Sequence, residues 1–364
     1  MKDLITQINA LAILGLKDML DQEKQLFHYR CILNNGELIK EGHSLRYTII
    51  SLLGLNRCES SGTLSPIDIH GILNTILNDV NELDSIGDLG LLLWLCALVA
   101  PDQLQRISFN DNVMMLQSKY FDARQEKTTE LAWFLTGLSY FALAHPDQPK
   151  HLKRLSFEIY EMLKQNYGGR GIFGHQSNNS VVGIIRGRIG CFADQVYPIY
   201  ALCKFAQVYN NKEALKIATE CGETICTLQG TYGQWWWHYD AITGKVIGRY
   251  PVYSVHQHGM APMALYELHQ STGIKVDDYI TRGLRWITGE NEHQFNLIDA
   301  ERKMIWRSFY RKKTKMYLEG FASLIGLNRT KSHYEDLIIL YECRPYCFGW
   351  LLYAFADKGT SKLT

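Results

Sequence analysis

The sequence predicts an all-α fold, an (α/α)6-type toroid of helical hairpins with long loops gathered at one mouth. Three observations predict it: a repeating spacing of helix starts, an alternation of apolar and amphipathic helical segments, and glycine- and aromatic-rich stretches between them. The spacing is clearest at Glu130 (TTELAWFLTGL), Asp194 (ADQVYPIYALCKFA) and His258 (HQHGMAPMALYEL), each 64 residues from the last, with Pro198 and Pro262 on the same beat. Proline is tolerated in the first turn of a helix, so both prolines mark helix starts. Gln165 (KQNYGG) and Gln229 (LQGTYGQ) are also 64 residues apart, and each ends a helix with glycines beyond it.

A further start at Gly87-Asp88, and an echo between 41–57 (EGHSLRYTIISLLGLNR) and 318–329 (LEGFASLIGLNR), place apolar helices near 43, 88, 130, 194, 258 and 320. Amphipathic helices fall between them at about 66–82, 103–120, 150–165, 211–228 and 275–288. A helix that is apolar all round must be covered on all sides, whereas an amphipathic one needs cover on one face. The alternation therefore describes an inner and an outer ring. Segment 345–356 either closes the ring or caps it, which leaves six hairpins and seven both open. No Ser/Pro-rich linker divides the chain and its 8 prolines are sparse, so 1–364 reads as one toroid domain.

Composition excludes several function classes. Lys plus Arg (38) nearly balance Asp plus Glu (37), and the only dense basic run, Arg311-Lys312-Lys313 with Lys315, is short, so no nucleic acid partner is expected. The most apolar stretch, 89–100, is too short for a membrane span and reads as a core helix. Nine cysteines, an odd number with no CxxC pair, suit buried free thiols in a reducing compartment; the N-terminus mixes polar residues into its apolar positions at helical spacing. A cytoplasmic location is the expectation. Oligomeric state is not legible.

Gln229-x3-Gly233-x-Trp235 and Arg282-Gly283-x-x-Trp286-Ile287 resemble fragments of the QW repeat of terpenoid cyclases. The cup of aromatic and acidic residues resembles six-hairpin glycosidases and toroidal polysaccharide lyases and epimerases. The likeness spans about 130–300 and implies the fold. The acid motif DxDD is missing, and Asp277-Asp278 lacks the spacing for metal-dependent diphosphate ionisation, so cyclase chemistry is not implied with it.

The shared spacing has a functional consequence. Glu130, Asp194 and His258 stand at equivalent ends of successive inner helices and should rim one mouth, with the stretches 168–188, 235–256 and 294–311 around them. The densest constellation is Gln234-Trp235-Trp236-Trp237-His238-Tyr239-Asp240, followed by Tyr250, Tyr253, His256, Gln257 and His258. Three successive tryptophans cannot all face a core, because neighbouring side chains of an extended segment point to opposite sides. At least one should be exposed and free to stack on a sugar ring; the alternative is that the aromatics plug the barrel. Asp240 has a second reading as a turn residue, since HYDAITGKV sets Asp240 and Gly244 around a tight connection between extended segments. His256 and His258 lack further ligands at suitable spacing, so no metal is expected, and no cofactor. GGRG at 168–171 lacks both the P-loop and the dinucleotide spacing.

A second cluster runs through Arg186, Arg188, Asp194, Gln195 and Tyr197. Arginines flanked by glycines suit a planar anion, and an Arg188–Asp194 ion pair is the bland alternative. Arg46, at the start of an apolar helix, needs a buried partner, and Arg307 adds a cationic wall beside Trp306 and Phe309.

The reading these residues support is an enzyme acting on a glycan, with uronate a candidate because of the arginines. Acid/base chemistry would fall to Asp194 with Asp240 or Glu130 as paired carboxylates, or to His238, His256 or Tyr239. Hydrolase, lyase and epimerase remain open. The alternatives are a cyclase-like enzyme acting on an isoprenoid, and a toroid that only binds a glycan or peptide.

Overall fold

Eleven α-helices and twelve short strands make up the described part of the computed structural model, which covers residues 1–80, 83, 85–104, 107, 127–176, 187–311 and 334–358. The helices are α1 (Lys2–Met19), α2 (Leu45–Ser60), α3 (Ile69–Asn78), α4 (Ile86–Val99), α5 (Thr128–Ala144), α6 (Lys150–Gln165), α7 (Ala193–Tyr209), α8 (Lys212–Thr227), α9 (Ala261–Thr272), α10 (Asp277–Ile287) and α11 (Pro345–Phe355).

Six of them close a ring. Packing runs α2 to α4 to α5 to α7 to α9 to α11 and back to α2. These are the apolar segments: α4 buries Ile86 through Cys96 on all faces, and α7 buries Ala201, Leu202 and Cys203 in succession. Outside them lie α3 on α2, α6 on α5, α8 on α7 and α9, and α10 on the start of α9, each amphipathic. The chain's ends complete the pattern, because α1 is the outer partner of α11. The sixth inner helix among the described residues is thus 345–355. The predicted start near 320 lies outside them, as do most of 103–120 and the echo at 318–329.

Glycine sets how close the inner helices come. A Cβ on Gly90 of α4 would fall on the backbone of Phe134 in α5, and one on Gly137 would fall on the carbonyl of Gly90. A Cβ on Gly54 of α2 would meet the carbonyl of Gly349 in α11. Two junctions of the ring are therefore backbone against backbone.

Both prolines sit deeper than the sequence suggests. α7 begins at Ala193, so Pro198 lies inside it, and Pro262 follows a π-helical turn, His256–Met260, that runs into α9. Proline has no N–H for the carbonyl four residues back, so Asp194 and His258 each carry a carbonyl without its usual helical partner.

Aromatic side chains fill the ring below the mouth. Trp94 packs on Tyr200 (ring centroids 4.9 Å), Tyr140 (5.3 Å) and Trp350 (5.8 Å), and the hydroxyls of Tyr140, Tyr200 and Tyr353 meet at 2.7–3.1 Å. Trp94 lies six residues beyond Asp88 in α4, roughly 9 Å deeper. The lumen is a cup with a floor.

The strands form small sheets around the helix starts. β1 (Leu20–Asp21), β2 (Leu26–Asn34), β3 (Glu37–His43) and β12 (Glu342–Cys343) make the largest, with β2 between β3 and β12. β4 (Ile189–Cys191), β5 (His238–Asp240) and β6 (Lys245–Gly248) form a second, and β7 (Val252–Tyr253), β10 (Ser308–Tyr310) and β11 (Ile338–Leu340) a third. β8 (Ile298–Asp299) pairs β9 (Met304–Ile305). The β2–β3 hairpin is an addition to the helical expectation. Its two-residue turn, Asn35-Gly36, takes positive φ at both positions (49° and 88°), which Asn-Gly tolerates and the twist of the strands favours.

Candidate active site at the helix mouth

The inner helices present their first turns to one end of the ring, and side chains there fall into three groups. The first is centred on Arg46 at the start of α2. Its guanidinium reaches Asp88 at 2.5 and 3.0 Å, Ser85 Oγ at 2.9 Å and Glu130 Oε1 at 3.1 Å, and lies over Trp133 at 5.0 Å. Glu130 also accepts from Ser85 Oγ (2.6 Å) and Gly87 N (3.0 Å). Burial alone would weaken the Arg46 charge, but Asp88 and Glu130 more than offset it and hold its pKa above the usual value. Arg46 thus has the partner a buried guanidinium needs. Glu130 is committed to that clamp and not presented as a free acid.

The second group surrounds Asp194 on α7. Its carboxylate is fully buried and accepts from Thr129 Oγ1 (3.0 Å), the backbone N–H of Cys191 (2.8 Å) and Nδ1 of His175 (3.1 Å). His175 has a side chain 33% exposed, on a segment pinned to β4 and to the start of α5 through Ile189 and Thr128. A carboxylate that accepts from Nδ1–H leaves Nε2 with the lone pair, so the imidazole is fixed in one tautomer. β4 pairs with β5 so that His238 stands opposite Cys191, beside Asp194. Burial pushes His238 down to about 4, against the opposing pull of Asp194, so its ring is neutral near pH 7.

Asp240 lies at the other end of β5, and its carboxylate is occupied. Arg188 donates to Oδ2 from two nitrogens (2.6 and 3.0 Å), and Oδ1 accepts from Ile242 N (2.9 Å) and Thr243 N (3.3 Å) in the loop that ends at Gly244. The geometry gives Asp240 its turn role, and it pairs Arg188 with Asp240 instead of Asp194. Burial would raise this carboxyl, yet Arg188 and the two amides outweigh it and hold it below the usual 3.8. A carboxyl depressed in the folded state contributes stability above the unfolded value and loses it as pH falls through the folded one. Asp240→Asn should therefore cost about 1–2 kcal/mol at pH 7, less than a fully buried pair because Arg188 is 36% exposed, and the difference from wild type should shrink near pH 3. Urea midpoints at the two pH values check this; an equal cost at both would contradict the ion pair.

The third group is an aromatic and cationic wall. Of the three tryptophans, Trp235 and Trp236 are buried and Trp237 is half-exposed, packed on Tyr253 (4.9 Å). Trp235 packs on Phe192, and Trp236 donates Nε1–H to the Leu228 carbonyl (2.9 Å). Arg307 lies over Tyr253 at 4.7 Å and 3.4 Å from Glu342, without hydrogen bonding it through the same NH1. Glu342 is also held by Arg344 (2.5 Å) and Arg30 (3.0 Å), and Arg344 donates to the Tyr47 hydroxyl (2.9 Å). Three guanidiniums thus share one buried carboxylate, of which Arg307 and Arg344 are largely buried themselves. Arg30 has a second acid in Glu41.

Several sequence candidates are buried scaffold. Gln195 accepts from Phe173 N and donates to the Phe173 and Cys191 carbonyls; Gln257 accepts from Trp235 N and donates to the Tyr253 carbonyl. Tyr239 accepts from Trp236 N, and Tyr250 donates to Glu292, which also takes Gln234 and Trp286. Tyr197 is packed between Trp133 and Trp350 inside the cup. His256 is enclosed by Phe192, Trp237 and Tyr253, and His258 is fully buried with neither ring nitrogen hydrogen-bonded; burial pushes both down to about 3. They lie on a π-helical turn, not on the strand that would have aimed both at one ion. Arg186 falls outside the described residues. Sequence reasoning missed His175 and Asp88 as site residues; Asp88 did mark a helix start, 42 residues before Glu130, whereas GIFGHQS offers no pattern around His175.

The fold is shared with solved structures at low identity. One is a possible member of the GH105 family from Salmonella enterica serovar Paratyphi A (TM-score 0.62, 8% identity, covering 98% of this chain and 94% of that one). Another is an unsaturated glucuronyl hydrolase from Bacillus sp. GL1 (TM-score 0.60, 13% identity, 98% and 96%). A third is an inactive variant of an α-1,6-mannanase from Salegentibacter sp. HEL1_6 in complex with α-1,6-mannotetrose (TM-score 0.58, 11%, 97% and 98%). The architecture is the α/α toroid of such glycosidases. No family model and no curated protein sequence matches the chain. The QW-like fragments serve packing here, since Gln229 ties its loop to the Tyr279 carbonyl of α10 (2.9 Å), and these similar structures add nothing to the cyclase reading. No described helix is long and apolar enough to cross a membrane, and the nine cysteines are unpaired, eight of them buried.

Proposed function

We propose that this chain is a glycan-processing enzyme that takes the acidic end of an oligosaccharide into the helix mouth and acts on it by proton transfer through His175. The observation that carries the reading is the Asp194–His175 pair: a buried carboxylate that cannot touch a ligand orients a part-exposed imidazole that can. Asp194 is then a positioning residue and His175 the acid/base, whose Nε2 takes a proton from water or sugar and returns it to the departing oxygen. Trp237 supplies an apolar face for stacking, and the guanidinium surplus around Glu342 supplies charge for a carboxylate. The glucuronyl hydrolase and mannanase among the similar structures support a glycan as substrate class.

Incubation with uronate-ended oligosaccharides, saturated and unsaturated, while following ultraviolet absorbance and reducing ends tests this. Loss of absorbance from the unsaturated end indicates hydrolysis there, and a gain from the saturated one indicates elimination. No change with either, by both readouts, overturns the reading. Arg307→Gln leaves Glu342 paired with Arg344 and Arg30, so folding should survive. KM for an acidic substrate should rise about 10–100-fold, the worth of one charge-assisted contact, with kcat much less affected. An unchanged KM would remove Arg307 from the substrate wall.

A further inference from the structure

The β1–β2–β3 sheet, on the α1–α2 connection, brings together three side chains that the proposed chemistry does not use. His28 on β2 stands directly opposite His43 on β3, their rings 4.8 Å apart, and Asp21 comes from β1 on the other side of β2. One ligand atom from each residue lies within 4.8 Å of the other two, and all three side chains are part-exposed. Nδ1 of His28 faces the Gly42 carbonyl at 3.2 Å, which accepts its hydrogen and leaves Nε2 with a lone pair. Asp21 Oδ1 accepts from Glu23 N (3.0 Å) and Lys24 N (3.1 Å), which turns Oδ2 toward His43 Nε2 at 2.9 Å. An imidazole held by a backbone carbonyl and a carboxylate held by backbone amides are the outer supports that metal ligands have.

We propose that Asp21, His28 and His43 form a site for a divalent zinc-class cation, with three protein ligands and the remaining position open to water. Two imidazoles and a carboxylate match the preference of zinc and cobalt over calcium or magnesium, which take all-oxygen shells. Ligand atoms about 2.0–2.1 Å from a tetrahedral zinc lie roughly 3.3 Å apart, so His43 and Asp21, at 2.9 Å, need to open by a few tenths of an ångström, while the wider spacings of the trio, up to 4.8 Å, need to close. As the ion binds, the hydrogen between them moves to His43 Nδ1 by exchange with solvent, so that the neutral ring ligates through Nε2. The other grouping of this kind among the described residues, His175, Cys191 and Asp194, is a poorer host: each Asp194 oxygen already accepts from a group that is not a ligand, Thr129 Oγ1 on one and the backbone N–H of Cys191 on the other, and burial, reinforced by Asp194, keeps the Cys191 thiol protonated. Bound at the first site, the ion would tie the end of α1 to the residue just before Ser44, the cap of α2, one turn from Arg46.

Cobalt(II) titration of the chelator-treated full chain tests the assignment, independently of any activity. One equivalent should bind with visible ligand-field absorption and no thiolate charge-transfer band. His28→Ala and His43→Ala should each weaken binding at least about 10-fold, and His28→Gln, which keeps the bulk of the ring, should do the same. His175→Ala should leave binding unchanged. Uptake of the same strength in the His28 and His43 variants, a thiolate band lost in Cys191→Ser, or no uptake at millimolar cobalt would each overturn the site.

Discussion

Replacing His175 by alanine is expected to lower kcat on an acidic oligosaccharide by about 10²–10⁴-fold, the usual contribution of a positioned acid/base. Folding should be little affected, because the side chain is part-exposed and Asp194 keeps its bonds to Thr129 and Cys191. His175→Gln should be as inactive as the alanine variant, since an amide can hydrogen-bond to Asp194 but cannot shuttle a proton at neutral pH. Asp194→Asn should also lose most of its activity by a different route: an amide NH2 facing Nδ1 favours the tautomer with the hydrogen on Nε2, and the base is lost. Steady-state kinetics on the three variants checks this set. Turnover of His175→Ala within threefold of wild type would place the proton transfer elsewhere.

The largest effect on stability is expected from Gly90→Val. Its Cβ position is occupied by the backbone of α5, which has no rotamer to change, so α4 and α5 must separate and the ring must open at that junction. Overpacking of side chains costs about 1–3 kcal/mol, and a clash with backbone belongs at or beyond the top of that range. Against a total stability of about 5–15 kcal/mol, a loss of about 3 kcal/mol or more is a large share. Leu64→Ala is the control, because Leu64 is 88% exposed and should change stability by less than about 0.5 kcal/mol. Urea midpoints decide it: a Gly90→Val midpoint equal to that of the control would mean that close helix approach is not what holds the ring.

The ring was legible because its cause is periodic. Each inner helix must be apolar all round and must recur at the length of one hairpin with its loop, so Glu130, Asp194 and His258 announce the repeat by position alone. The outer helices α3, α6, α8 and α10 were legible for the same reason, with α6 and α8 falling within a residue of their expected bounds; α1 was not among the expected outer helices, and most of 103–120 lies outside the described residues. The β2–β3 hairpin was legible too, in Asn35-Gly36, but a reading tuned to helical spacing passes over a two-residue signal.

The candidate site was legible in its location and much less so in its chemistry. That Asp240 belongs to Arg188 and a turn, that Glu130 belongs to Arg46, and that Asp194 is sealed behind His175 are matters of pairing between distant segments. By itself the sequence determined the closed helical ring and the end at which its polar side chains collect, since hydrophobic periodicity is a local property summed along the chain. Only the tertiary structure decided which carboxylate is structural, which imidazole reaches the surface and which guanidiniums gather around Glu342. Burial and hydrogen-bond partnership arise when residues 19 to 312 positions apart are brought together, and spacing along the chain carries no record of them.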